Sequence, residues 1–471
     1  MNTYTPTIGL EVHAELNTKS KMFCGCRNNP HCETPNCYIC PICMGHPGTL
    51  PVPNKSAIAK LLTFGYAVNG RVADFTEFDR KNYFYPDIPK AYQISQYAFP
   101  LVSGGEINGV ILTRVHLEED TARSQHQQGT GSLVNYNRAG VPLLELVTEP
   151  VIHDAETAGS FARELQLLLR TLSISNANME KGEMRVEANI SVSKNDNLGT
   201  KVEVKNLNSF RSVESAIKYE IKRQKSIYDS GLEVKQETRG WDENKQATFS
   251  QRSKETAKDY RYFPDPDIPK LSIAKYPEFS EKNLLLDIPE LPAKKREKYS
   301  DIGLPRQQIE TILQHEYIDM FFRVMVENYR EEPDIIKSTA NYLTSDVISI
   351  LTEKDSYPDD VYHESMYVLL KMLKNDQITS RTAKDLLPEV LYDGIDPVLV
   401  TKKRNLLQSS NEQELKQLVL EVIKDHQDVV SEYRNGKNSS IQFLVGQGMK
   451  KSKGSANPKL LFILLKKELD T

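Results

Sequence analysis

Residues 7–16, TIGLEVHAEL, set the reading of the chain. Apolar and polar residues alternate with a period of two, the pattern of a half-buried strand. Leu10, Val12 and Ala14 then share one face, and Glu11, His13 and Glu15 share the other. A carboxylate and an imidazole two positions apart on one strand face suit a hard divalent cation. Taken alone, the pattern reads more simply as a solvated polar face.

Later stretches repeat the period. Residues 182–192 place Glu183, Arg185, Glu187 and Asn189 on one side, and residues 201–211 offer Lys201, Glu203 and Lys205. Cations and carboxylates on neighbouring strands suit a site for phosphates and Mg²⁺; a salt-bridged sheet surface is the alternative. Glu145 sits inside the otherwise apolar run 141–147, VPLLELV. A carboxylate there needs a partner or a metal, because an unpaired buried charge is very costly. Asn108-Gly109 is a hairpin signal ahead of the strand-like run 110–116. That run leads into Glu118, Glu119 and Asp120, which repel one another unless cations or solvent separate them.

The bulk composition is that of a globular protein: 471 residues, 39% hydrophobic, 26% charged, net charge −4. That length predicts two or three domains. The charge gives no whole-chain attraction to nucleic acid, so any RNA contact must be local. No apolar run approaches the roughly 18 residues of a membrane span, and the N-terminus lacks the pattern of a signal peptide. A cytoplasmic protein is expected.

All six cysteines lie within residues 24–43. Crowding in one segment points to metal rather than disulfides. Cys24-Gly-Cys26 and Cys40-Pro-Ile-Cys43 supply four thiolates for a tetrahedral, structural zinc, although Cys37-Tyr-Ile-Cys40 is also a C-x-x-C. Residues 80–96, RKNYFYPDIPKAYQISQ, read as a rigid polar-aromatic loop. Pro86 and Pro89 exclude a regular helix, and 259–267, DYRYFPDPD, repeats the same chemistry.

Residues 56–69, 154–172 and 212–229 have helical spacing. After about residue 292 the chain turns mostly helical, giving expected domains at 1–292, 293–400 and 401–471. The end is basic, and Arg434, Lys437, Lys450, Lys451 and Lys453 form a candidate footprint for a phosphate backbone. Residues 446–454 are expected to be a cationic loop between helices. There is no P-loop, no dinucleotide-binding glycine fingerprint, no G-x-S-x-G elbow and no Gly/Ser-rich stretch to present an amidase serine.

The motifs IGLEVH (8–13), CPICMGHPG (40–48), residues 80–96, LEED (117–120), NRAG (137–140), KNLNSF (205–210), 259–267 and FLVGQ (443–447) together resemble the B-subunit family of aspartyl/glutamyl-tRNA amidotransferases. The resemblance implies an α+β fold: an antiparallel-sheet cradle like the glutamine synthetase catalytic domain, then a helical domain and a small helical tail that touches tRNA. It implies ATP-dependent phosphorylation of the side-chain carboxylate of Glu or Asp misacylated on tRNA. Ammonia from an amidase (the A component) would follow, with a small C component completing a heterotrimer. Mg²⁺ is then expected on His13, Glu118, Glu145 and Glu187, with Glu11 adjacent. The ammonia route would end near Lys81, Tyr83, Lys90 and Glu119, with Glu119 taking a proton from ammonium. Arg185 and Lys205 complete the expected catalytic set. Glu187 stands where the family usually has Asp, Ala91 where Gly is frequent, and Arg123 where Lys is frequent. The reading from a different class is a non-catalytic, zinc-stabilised tRNA-binding module.

Overall fold

The computed structural model describes residues 4–127, 131–195, 197–253, 259–286, 288–408, 412–452 and 456–470. The chain forms two compact units, Met1–Pro292 and Ala293–Thr471.

The first unit is built on a ten-stranded sheet. Its strands are β1 (Thr5–Glu15), β2 (Val110–Glu119), β3 (Pro142–Thr148), β4 (Met184–Ser193), β5 (Val202–Leu207), β6 (Glu237–Asp242) and β7 (Ala247–Ser253). They run in the order β7-β6-β5-β4-β1-β3-β2, with the two-residue strands Val102–Ser103 and Arg71–Val72 beyond β2, and Glu106–Ile107 also paired to β2. Every pairing among the described strands of this sheet is antiparallel except β5 with β6.

The alternation in β1 carries through the sheet. Ile8, Leu10, Val12 and Ala14 are buried with Leu144 and Leu146 of β3 and Val186, Ala188 and Ile190 of β4. Helices α1 (Lys55–Ala67), α2 (Ala155–Thr171) and α3 (Phe210–Asp229) contribute to the same core through Leu61, Phe161, Leu165, Val213 and Ile217. Burying a large aliphatic or aromatic side chain there contributes about 1.5–3 kcal/mol each. Asp154 caps helix α2: its side chain accepts from the Thr157 amide at 2.6 Å. The hairpin at Asn108-Gly109 has both residues at positive φ, 51° and 81°, as a type I′ turn requires.

Residues 80–96 are not loop throughout. Two short strands, Asp79–Asn82 and Tyr92–Ser95, pair with each other, and Phe263–Pro264 adds to the first. The two aromatic-proline stretches of the sequence are therefore one structure, tied by Arg80 to Asp265 at 2.7 Å and to Asp267 at 2.9 Å.

The second unit is helical. Its last four helices, Glu412–Asp425, Gln427–Arg434, Ser440–Lys451 and Pro458–Leu469, share a core of Leu415, Val419, Leu444, Leu461 and Leu465. Residue 401 falls inside a helix, Pro397–Lys403. The expected loop at 446–454 is corrected: residues up to Lys451 are helical. Of the glycines that suggested a loop, Gly448 serves helix packing instead. A Cβ on Gly448 would stand 2.5 Å from Leu461 Cδ2 of the next helix.

Candidate active site

The polar face of the sheet gathers the charged residues, because strand register dictates it. His13 lies opposite Glu145 on β3 and Arg185 on β4, Glu145 lies opposite His116 on β2, and Glu11 lies opposite Glu187. His13 Nε2 is 3.3 Å from Glu118 Oε1, 3.5 Å from Glu145 Oε2 and 3.9 Å from Glu11 Oε1. His116 Nε2 also reaches Glu145 Oε2, at 3.3 Å. Glu11, His13 and Glu145 form one cluster of mutually close ligand atoms, His116, Glu118 and Glu145 a second, and Glu11, Glu187 and Glu203 a third.

Electrostatics bind this cluster together. Burial opposes the charge on His13, but hydrogen bonds to Glu118 and Glu145 outweigh it and raise the imidazole pKa well above its usual value. Burial likewise opposes the charge on Glu145, yet His116 and His13 hold it well below the ordinary carboxylate range. Glu11 is pushed up to about 7, first by burial and then by Glu145 and Glu187. Glu118 Oε2 is buried and has no hydrogen-bond partner. Converging carboxylate oxygens and imidazole nitrogens, one oxygen unpaired, fit a hard divalent cation.

Cations join the cluster in lining a cleft of about 340 Å³, bordered by Glu11, His13, Lys81, Tyr83, Arg185 and Lys205, among others. Lys205 Nζ pairs with Glu187 at 2.8 Å. Arg185 pairs with Asp120 at 3.0 Å, and Arg138 reaches the same carboxylate at 3.4 Å. Lys81 lies 5.0 Å from the centre of the Tyr260 ring. Burial works against the Lys81 charge, but Glu118, Tyr262 and Glu145 raise its pKa well above the lysine range.

Lys90 and Glu119 stand apart from that cleft. They pair at 2.6 Å on the wall of a second cavity of about 230 Å³, which Cys43, Gly45 and Arg80 also line. A small void bordered by Asp87, Gln93, Glu119 and Asp120 touches residues of both cavities. Glu119 is fixed from the other side by the Ile94 amide, which donates to Oε1 at 3.0 Å.

Cys24, Cys26, Cys40 and Cys43 come together as one group of close sulfurs. The Cys43 thiol is held down to about 5, first by its hydrogen bond with Cys24, while burial pushes Cys26 up to about 11. Cys32 and Cys37 form a separate pair with sulfurs 3.4 Å apart. In the second unit, Lys437 pairs with Glu432, and Lys451 with Glu421 and Asp425. Arg434 and Lys450 are exposed. Lys453 lies outside the described residues.

Sequence reasoning missed His116 and, as site members, Asp120 and Arg138. His116 carried a usable signal: it lies two residues before Glu118 on one strand and so shares its face.

Fold and site define a class: an enzyme chain with a charge-lined cleft on an antiparallel-dominated sheet, joined to a helical unit. Residues 6–277 match the family model described as the GatB/GatE catalytic domain, and residues 320–469 match the GatB domain. The chain is 42% identical, over 480 aligned positions, to the B subunit of the aspartyl/glutamyl-tRNA(Asn/Gln) amidotransferase of Thermoanaerobacter sp. (strain X514), with 99% of each chain covered. It is 39% identical to the protein of that name from Gloeothece citriformis (strain PCC 7424), covering 99% of this chain and 98% of the relative. The chain belongs to the B-subunit family of these amidotransferases.

Proposed function

We infer that the chain is the activating and amidating subunit of a tRNA-dependent amidotransferase. Its reaction converts the side-chain carboxylate of Glu on tRNA(Gln), of Asp on tRNA(Asn), or of both, into the amide. ATP supplies the phosphoryl group that turns a poor leaving group into a good one. Ammonia then displaces phosphate. The ammonia comes from an amidase partner, and a small third partner completes a cytoplasmic heterotrimer. The antiparallel cradle corresponds to the glutamine synthetase-like catalytic domain that the family resemblance implies.

The observation that carries this reading is the convergence of His13, Glu11, Glu118 and Glu145 at a cleft that Lys81, Arg185 and Lys205 also line. His13, Glu118, Glu145 and Glu187, with Glu11 beside them, would hold Mg²⁺. Bound there, Mg²⁺ supplies neutralisation of phosphate charge in the transition state. Arg185 and Lys205 are pre-positioned by Asp120 and Glu187 to meet the same developing charge. Lys81 and Tyr83 line the same cleft.

Glu119 is the base for incoming ammonium. Its carboxylate already holds the primary ammonium of Lys90, so the geometry for an N–H⁺ donor is in place. Movement of Lys90 lets ammonium take that position, give Glu119 a proton and attack as neutral ammonia. Cys24, Cys26, Cys40 and Cys43 would hold a structural zinc that stabilises a knuckle too small for its own core.

Glu145→Gln tests the reading. It should lower ATP-dependent transamidation about 100-fold or more, while tRNA binding and the glutaminase activity of the assembled complex persist. Unchanged transamidation would remove the metal site from the mechanism and favour a tRNA-binding module.

A further inference from the structure

Among the described residues, Lys21 is a fully buried lysine at 0% exposure. Its Nζ lies 3.2 Å from the Tyr136 carbonyl and 3.8 Å from Cys43 Sγ, and no carboxylate of the described residues is within ion-pair distance. Buried ammonium groups are kept only where something anionic compensates them. Neutral thiols would not do so. Four thiolates around a divalent ion carry a net charge of −2, from four negative and two positive charges, and would place that anion beside Lys21.

The surrounding backbone fixes this arrangement. The Lys21 amide donates to the Cys26 carbonyl at 2.9 Å, a β-bridge joins Ser20 to Arg27, and the Met22 amide donates to the Gly140 carbonyl at 2.7 Å. Gly140, at the positive φ of +84°, packs against both groups: a Cβ there would sit at ordinary contact, 3.5 Å from Cys43 Cβ and 3.6 Å from Lys21 Cδ.

We propose that Lys21 is a positioning residue of the four-cysteine centre, compensating its negative charge and donating an N–H···S hydrogen bond to Cys43. The proposal rests on the zinc reading above. It makes the lysine more stabilising with metal bound, when four ligated thiolates surround it, than without metal, when Cys43 alone stands beside it.

A four-state comparison tests this with the full chain: wild type and Lys21→Met, each zinc-loaded and zinc-stripped. K21M should weaken zinc affinity about 10- to 100-fold in competition with a chelator, as loss of partners around metal ligands does. The loaded variant should lose more melting temperature against loaded wild type than the stripped variant loses against stripped wild type. Equal losses in both forms, or unchanged zinc affinity, would overturn the role. If K21M does not fold, Lys21→Gln, which keeps a donor without the charge, reads the same cycle. Wild type that holds no zinc would overturn the metal centre itself, an outcome distinct from a zinc-binding wild type with a flat cycle.

Discussion

Glu118, Glu119 and Asp120 are consecutive, yet each charge meets a different partner. Glu118 faces His13, Glu119 holds Lys90, and Asp120 receives Arg185 and Arg138. The repulsion that the sequence implies is relieved because strand geometry sends neighbours to opposite sides. Glu15 shows the reverse case. Burial first, and then Asp120, raises its pKa from 4.5 to about 8. The native state therefore binds this proton more tightly than the unfolded state does. Its contribution to stability is fully present below pH 4.5 and is lost as pH rises towards 8. Glu15→Gln should remove that slope, so the melting temperature of wild type relative to E15Q falls across this window. A difference independent of pH would refute it. At this scale the sequence was most legible at Glu145, whose apolar flanks announce a compensated charge. It was least legible at His116, flanked by Val115 and Leu117 and partnered from another strand.

At the scale of elements, alternation and helical spacing made β1, β4, α2 and α3 readable to within a few residues. The pairing of 79–82 with 263–264 was not, since its contacts span more than 180 residues of sequence and no local pattern encodes such a distance. The glycine at 448 misled because absence of a side chain serves a tight helix contact as well as a turn. Ala91 gives this scale its prediction. It sits at φ +62°, at the turn that closes Ile88 onto the second short strand, in the left-handed region that L-residues pay about 1–2 kcal/mol to enter. The family resemblance implies glycine there. Ala91→Gly should raise stability by about 1 kcal/mol at most, the relief of strain being partly offset by the added freedom of the unfolded chain. A lower melting temperature would contradict it.

For the whole molecule, the basic end of the chain is one packed helical bundle rather than a strip of loose cations. Removing 434–471 would strip Leu444, Leu461 and Leu465 from a core shared with Leu415 and Val419. Charge reversal is therefore the cleaner probe. Arg434→Glu with Lys450→Glu should raise the KM for tRNA and flatten its salt dependence by about one contact each, with glutaminase activity intact. An unchanged KM would exclude this surface from tRNA binding. Lys437 and Lys451, already neutralised by Glu432, Glu421 and Asp425, should matter less.

The acidic triplet also constrains how this chain can vary. Three separate duties meet at three successive positions, so a substitution at one of them alters a single duty. An inserted or deleted residue would turn every following side chain to the opposite side and exchange all three assignments together. Drift in 118–120 should thus be confined to replacement, and a one-residue length change there should act as a null allele even where the fold survives it.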